Sequence, residues 1–222
     1  METKMKKQII ITSLVAVLIA SMVSFGQATM ISINLDTEFS GATPPAGTAP
    51  WLTATFDDAG TPGSVMLTMS TANLTGTEFV STWSFNLNPA LNPVSLNFAY
   101  SSGEMFSSLT QGVNCCKADG DGFFDISFNF NNGAFTSGET SVFNITGIPT
   151  LTALDFDFLS LGSGNSPDGL KTAAHVQSIG VDGNDSGWIT GETTVVPEPG
   201  TVFLLGAGLV GLGLYGRKRF RK

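Results

Sequence analysis

The sequence predicts an all-β protein, an antiparallel β-sandwich of jelly-roll-like form, set between an N-terminal signal peptide and a single C-terminal transmembrane helix. Three observations lead there. Apolar residues in the body of the chain recur at every second position, as in Phe124, Ile126, Phe128 and Phe130 against Asp125, Ser127 and Asn129. That period of two, rather than 3.6, describes strands with one dry face and one wet face. Clusters of glycine, proline and asparagine interrupt these runs and supply positive φ and fixed turns. Two uncharged apolar runs stand outside the pattern, one at each end.

At the start, Lys4, Lys6 and Lys7 precede the apolar run Ile9 to Val23, and Gly26-Gln27-Ala28 offers small residues at the cleavage positions. This predicts a signal peptide over residues 1–28, cut after Ala28, with an uncleaved first span as the alternative. Strands are expected over 30–35, 51–57 and 64–70. In 79–87, Phe79, Trp83, Phe85 and Leu87 share a face, and Val94, Leu96, Phe98 and Tyr100 repeat the pattern. Further strands are expected over 124–130, 141–146, 154–158 (Leu154, Phe156 and Phe158 against Asp155 and Asp157) and 174–181. Turns fall at Gly41-Ala-Thr-Pro-Pro, Asp58-Ala-Gly-Thr-Pro-Gly, Asn88-Pro, Asn131-Asn-Gly and Gly162-Ser-Gly-Asn-Ser-Pro. The domain is expected to span 29–192, closed by Gly180 to Glu192. Residues 193–196 read as a stalk opening the terminal segment 193–222.

That terminal segment has three parts in a fixed order: Pro197-Glu198-Pro199, the uncharged run from Gly200 to Gly216, and a basic end. Seventeen residues make about 25 Å of helix, near the short limit for a hydrocarbon core of about 30 Å. The basic residues Arg217, Lys218, Arg219, Arg221 and Lys222 mark the side retained in the cytoplasm. Pro197 and Pro199 deny the tripeptide helical geometry and leave Glu198 on accessible, extended backbone.

Together these residues resemble the PEP-CTERM sorting signal of bacterial exported proteins, over about 26 of the 222 residues. The resemblance implies a membrane-embedded cysteine transpeptidase, an exosortase, as the partner that recognises Pro197, Glu198 and Pro199 and processes the tail. It also implies a Gram-negative cell envelope and, as a possible partner, extracellular polysaccharide or biofilm matrix. An ordinary stop-transfer anchor after a proline linker is the alternative. On either reading the chain is exported through the inner membrane and single-pass before processing, with residues 29–196 outside.

The exported part keeps only Lys117 and Lys171 against sixteen acidic residues, a net charge near −14 without arginine. Nucleic acid binding needs basic groups that displace phosphate counterions, so that class is excluded. Such a surface favours divalent cations or basic partners. About 168 residues suffice for one domain with a real core.

Chemistry has little material. His175 is the sole histidine, lies in a strand-like stretch, and has no nucleophile elbow to serve; it reads as a structural residue. Zinc is disfavoured for want of ligands. Cys115 and Cys116 are adjacent. They could form a strained vicinal disulfide, bridges between chains, or free thiols, with export favouring bridging. Carboxylate pairs for glycoside hydrolysis are available, but nothing selects one. Trp51 and Trp188 border loops and are the candidates for stacking on a glycan. Asp119-Gly-Asp121-Gly-Phe-Phe-Asp125 places acids at relative positions 1, 3 and 7, as a calcium loop does, but lacks the EF-hand acids at positions 5 and 12. A glycine-rich hairpin is the competing reading. The sequence therefore predicts a non-catalytic, membrane-tethered or surface-sorted envelope protein with calcium as its one candidate cofactor. A carbohydrate-binding module and, after it, a secreted glycan hydrolase are the alternatives.

Overall fold

The computed structural model describes residues 28–196, together with the isolated Gly208. The expected apolar segment of the signal peptide, the tripeptide 197–199, the transmembrane helix 200–216 and the basic cluster 217–222 lie outside the described residues. Among the described residues no helix is long and apolar enough to cross a membrane.

Twelve strands follow one another in the chain. They are β1 (Met30–Glu38), β2 (Leu52–Asp57), β3 (Val65–Ser70), β4 (Phe79–Phe85), β5 (Asn97–Gly103) and β6 (Ser108–Ala118), then β7 (Gly122–Asn129), β8 (Phe135–Thr136), β9 (Thr140–Thr146), β10 (Leu161–Gly162), β11 (Thr172–Ile179) and β12 (Asp185–Val196). Every pairing between them is antiparallel. Hydrogen bonding runs unbroken in the order β10-β7-β4-β11-β12-β1-β2-β3-β9-β5, with β6 on the free side of β7 and β8 beside β4. The all-β, antiparallel expectation holds, realised as one continuous sheet.

That sheet bends over one main apolar core, with a small second cluster around Ala118, Phe124 and Ala173. Phe56 of β2 meets Phe85 of β4 edge-on at 5.3 Å, and Phe128 of β7 stacks on Phe143 of β9 at 5.5 Å, although these strands are far apart in sheet order. Ile31, Ile33 and Leu35 of β1, Leu52, Ala54 and Phe56 of β2, and Val65, Leu67 and Met69 of β3 are all buried. Alternation therefore does on these strands what it predicts.

Four stretches depart from the sequence reading, each for a local reason. Residues 154–158 are not a strand. Ala153–Phe156 form a 3-10 turn in which the Asp155 carboxylate accepts from the Thr152 amide (2.9 Å) and hydroxyl (3.0 Å). A short acid bonding to nearby backbone competes with extended structure, and Leu154 is left exposed. In 94–100 a turn at Pro93–Ser95 delays the strand, so β5 starts at Asn97. In β4, Val80 is buried rather than Phe79, because pairing with β11 slips between Thr82 and Val80 and leaves Ser81 as a bulge.

The fourth departure is the largest. Residues 185–196, expected as a closing loop and a stalk, form a central strand between β11 and β1. Thr193–Val196 pair with Ile33–Met30. Gly187 and Gly191 mark close backbone approaches. A Cβ at Gly187 would lie 2.6 Å from the Thr43 carbonyl oxygen, and one at Gly191 would overlap the carbonyl of Asn34.

Candidate functional site

The chain leaves the described domain where β12 ends. Val196 faces Met30 across the sheet, one residue before Pro197. The start of β1 and the end of β12 thus lie side by side at one end of the sheet. Hydrogen bonds fasten the loops at that end to these strands. Asp58 accepts from the Thr29 amide through Oδ1 (2.7 Å) and from the Ala153 amide through Oδ2 (3.2 Å). Asn88 donates its Nδ2 to Asp155 at 2.9 Å. Thr193 donates its Oγ1 to Asp157 at 2.6 Å, and Lys171 Nζ pairs with the same carboxylate oxygen at 2.8 Å.

A pocket of about 270 Å³ opens among these loops, lined by Asn86, Leu87, Pro89, Leu91, Pro93, Val113, Asn114, Asp125, Leu159, Ser160 and Leu161. Its polar groups are largely committed to holding its walls. Asp125 accepts from the Leu87 amide (3.0 Å) and the Asn114 amide (2.9 Å), one on each oxygen. Asn86 Nδ2 reaches the carbonyls of Phe158, Leu170 and Lys171 at 2.9–3.2 Å. Asp125 is the one carboxylate in the lining, whereas glycoside hydrolysis needs two facing each other.

The three acids of the expected calcium loop are not brought together. Asp121 is buried at the β6–β7 turn, where its Oδ1 accepts from the Asn165 amide at 2.7 Å and its Oδ2 has no partner. Asp125 points to Leu87 and Asn114 instead, and Asp119 sits exposed in the turn with φ +43°. Among the described residues no group of three His, Cys, Asp or Glu side chains is arranged to hold a metal ion. The physical reason lies in the strand. Asp121 and Asp125 flank the opening residues of β7, and extended backbone carries them about 13 Å apart along the chain instead of curling them round a centre.

His175 and Trp188 face each other across β11 and β12, with ring centroids 4.7 Å apart and planes within 15°. The bulged Ser81 contacts His175 Nδ1 at 3.1 Å and accepts from Gln177 Nε2 at 2.9 Å. Burial lowers the imidazole's pKa below its usual value, and the Asp119 charge acts in the opposite sense. Trp188 also packs on a small outer cluster with Phe39, Cys116 and Leu170 around Ala118, Phe124 and Ala173. Trp51 packs on the main core and donates its indole N–H to the Gly47 carbonyl at 2.7 Å. Both tryptophans are half-buried; the indole donor of Trp51 is taken by the Gly47 carbonyl, and Trp188 has one ring face against His175.

Cys115 and Cys116 form a vicinal disulfide, with an S–S distance of 2.02 Å, where β6 and β7 lose register between Gln111 and Cys116. Of the three states left open by the sequence, this is the one present. The pocket was not legible from the sequence, because its lining comes from four separate loops and strands. The one available signal was the density of proline and asparagine in Asn86 to Pro93.

A family model for the PEP-CTERM protein-sorting motif matches residues 195–219. The chain carries this sorting motif. The match takes in Pro197, Glu198 and Pro199, the uncharged run, and Arg217, Lys218 and Arg219 of the basic cluster. Its first two residues, Val195 and Val196, are also the last two of β12, so sorting motif and folded domain overlap. No curated protein and no solved structure matches the chain.

Proposed function

We propose that this chain is an exported, non-catalytic surface protein whose β domain is delivered to the cell envelope through its PEP-CTERM motif. The single observation that carries the reading is the match over residues 195–219, with tripeptide, apolar run and basic residues in that order. In this reading residues 200–216 hold the chain in the membrane with the basic cluster in the cytoplasm. An exosortase-type enzyme then acts at Pro197, Glu198 and Pro199. The curled sheet serves as a sandwich-like body displayed outside, with extracellular polysaccharide as its setting.

Glu198→Ala tests the assignment. Export should persist, while the mass change and relocation that accompany tail processing should disappear. Processing of the variant at the wild-type rate would reject the role of the tripeptide and leave a plain anchor. A glycan array probed with the displayed domain tests the polysaccharide setting.

A further inference from the structure

Five of the nine large apolar side chains exposed among the described residues lie together at one end, with Met66, Tyr100, Met105 and Val181 outside the group. Val94, Val113, Leu154, Leu159 and Leu161 are 47–70% exposed. Val113, Leu159 and Leu161 line the pocket, Val94 follows its Pro93 wall, and Leu154 lies in the 3-10 turn whose Asp155 is bound by Asn88. These loops are tied to the end of the sheet where β12 finishes, through Asp58 to Thr29 and through Asp157 to Thr193. Only Pro197, Glu198 and Pro199 separate Val196 from the uncharged run that starts at Gly200. Three residues span at most about 11 Å. An end so tethered stays close to whatever surface the apolar run enters.

Charge at this end fits a lipid surface better than the net charge of the domain suggests. Asp58, Asp125, Asp155 and Asp157 all turn inward, onto backbone amides, Asn88, Lys171 and Thr193. The leucines and valines share the outward surface with the exposed Asp119 and Asp168.

We propose that this end of the domain docks on the bilayer before the tail is processed, with Val94, Leu154, Leu159 and Leu161 entering the headgroup layer. The inference rests on the reading that residues 200–216 occupy a membrane. A few exposed side chains bind lipid weakly by themselves. A tether of three residues supplies a high effective concentration and makes a weak contact persistent. Docking would hold Pro197 to Pro199 at the membrane plane, where a membrane-embedded enzyme meets its substrate.

The test places the full chain in phosphatidylcholine vesicles with and without brominated acyl chains. Leu161→Trp puts a reporter in the patch. Val181→Trp puts one at the opposite end of the domain, on the turn between β11 and β12, where Val181 is fully exposed. Brominated lipid should quench the emission added by Leu161→Trp at least twofold more than that added by Val181→Trp. Adding Leu154→Ser and Leu159→Ser to the Leu161→Trp chain should reduce the excess. Equal quenching at both ends, in chains that float with the vesicles, overturns docking while leaving the membrane span intact. Equal quenching with cross-linked dimers through the patch also overturns it, in favour of a second copy. A chain that fails to float with the vesicles overturns the membrane reading itself, and docking with it.

Discussion

Trp83→Ala is the most decisive perturbation of the fold, because one side chain joins three parts of the core. The indole is fully buried, lies nearly parallel to Phe85 at 5.8 Å, and approaches Phe135 at 6.4 Å. Its N–H donates to the Thr172 hydroxyl at 3.0 Å, and that hydroxyl donates onward to the Ser84 carbonyl at 2.7 Å. Truncating a buried tryptophan costs about 3–5 kcal/mol in lost transfer and cavity. The lost hydrogen bond adds about 1 kcal/mol, with Thr172 retaining its own acceptor. A total of about 4–6 kcal/mol compares with about 5–15 kcal/mol for a whole domain. At about 2–4 °C per kcal/mol for a domain of this size, the melting temperature should fall by at least about 8 °C. Trp83→Phe keeps the apolar contact and should lose about 1–2 kcal/mol. Thermal unfolding of residues 29–196 followed by circular dichroism reads both variants. A Trp83→Ala domain that melts within about 2 °C of wild type would refute the placement of this strand's inner face.

Three further outcomes follow from the geometry. Gly191→Ala drives a Cβ into the Asn34 carbonyl, which is backbone and cannot rotate away; the overpacking should cost about 1–3 kcal/mol by urea titration, and an unchanged midpoint would show that β12 does not lie against β1. Asp125→Ala removes the acceptor of two amides and should cost about 2–4 kcal/mol; millimolar calcium should shift the melting of wild type and Asp125→Asn equally, and a gain confined to wild type would restore the calcium loop. His175 has a folded pKa below its unfolded value, so the unfolded chain takes its proton first as pH falls; its contribution to stability is full above about pH 6.5 and declines as pH drops through the window down to the folded pKa. The stability difference between wild type and His175→Gln should therefore narrow between pH 7.5 and 5.5, and a difference that widens on acidification would reverse the sign of the shift.

How much of this was legible in the sequence depended on where water lies. Strands wet on one face and dry on the other declared themselves: β2, β3 and β9 were expected to within a residue, and β1 and β7 to within two or three. β6 was missed because it is an outer strand, exposed along most of Ser108 to Lys117, so no face of it needs apolar residues. β12 was missed for a different reason. Backbone at Thr43 and at Asn34 of β1 presses so closely on Gly187 and Gly191 that side chains are excluded, and a strand written with glycine resembles a loop. At 154–158 the alternation was real, but Asp155 used its carboxylate to close a turn on Thr152. The calcium expectation failed to find its geometry for a kindred reason. Spacing along the chain is informative only once the backbone between the acids is known, and here it is extended.

The place of β12 also bears on how a chain with a sorting motif at its C-terminal end can fold. β1 and β12 are central neighbours, and β12 is what joins β1 to β11 in the hydrogen-bonded path. Without residues 185–196 the order divides into β10-β7-β4-β11 on one side and β1-β2-β3-β9-β5 on the other, with the apolar core between them unsealed. On the proposed topology, Asp185 to Val196 are the last residues of the domain to reach the outside before the tripeptide and the apolar run. The sheet can therefore close only when export is complete. Pairing of Val196 with Met30 then draws the sorting tripeptide to within one residue of the finished domain. Long-range pairing of this kind makes completion of the sheet slow relative to local turns. A chain stalled before Asp185 would expose both halves of its core and the unpaired edges of β1 and β11, the surfaces most prone to aggregate. By this argument the sorting motif adjoins the strand that completes the domain, so a chain whose tripeptide has cleared the export channel already has every strand it needs to fold.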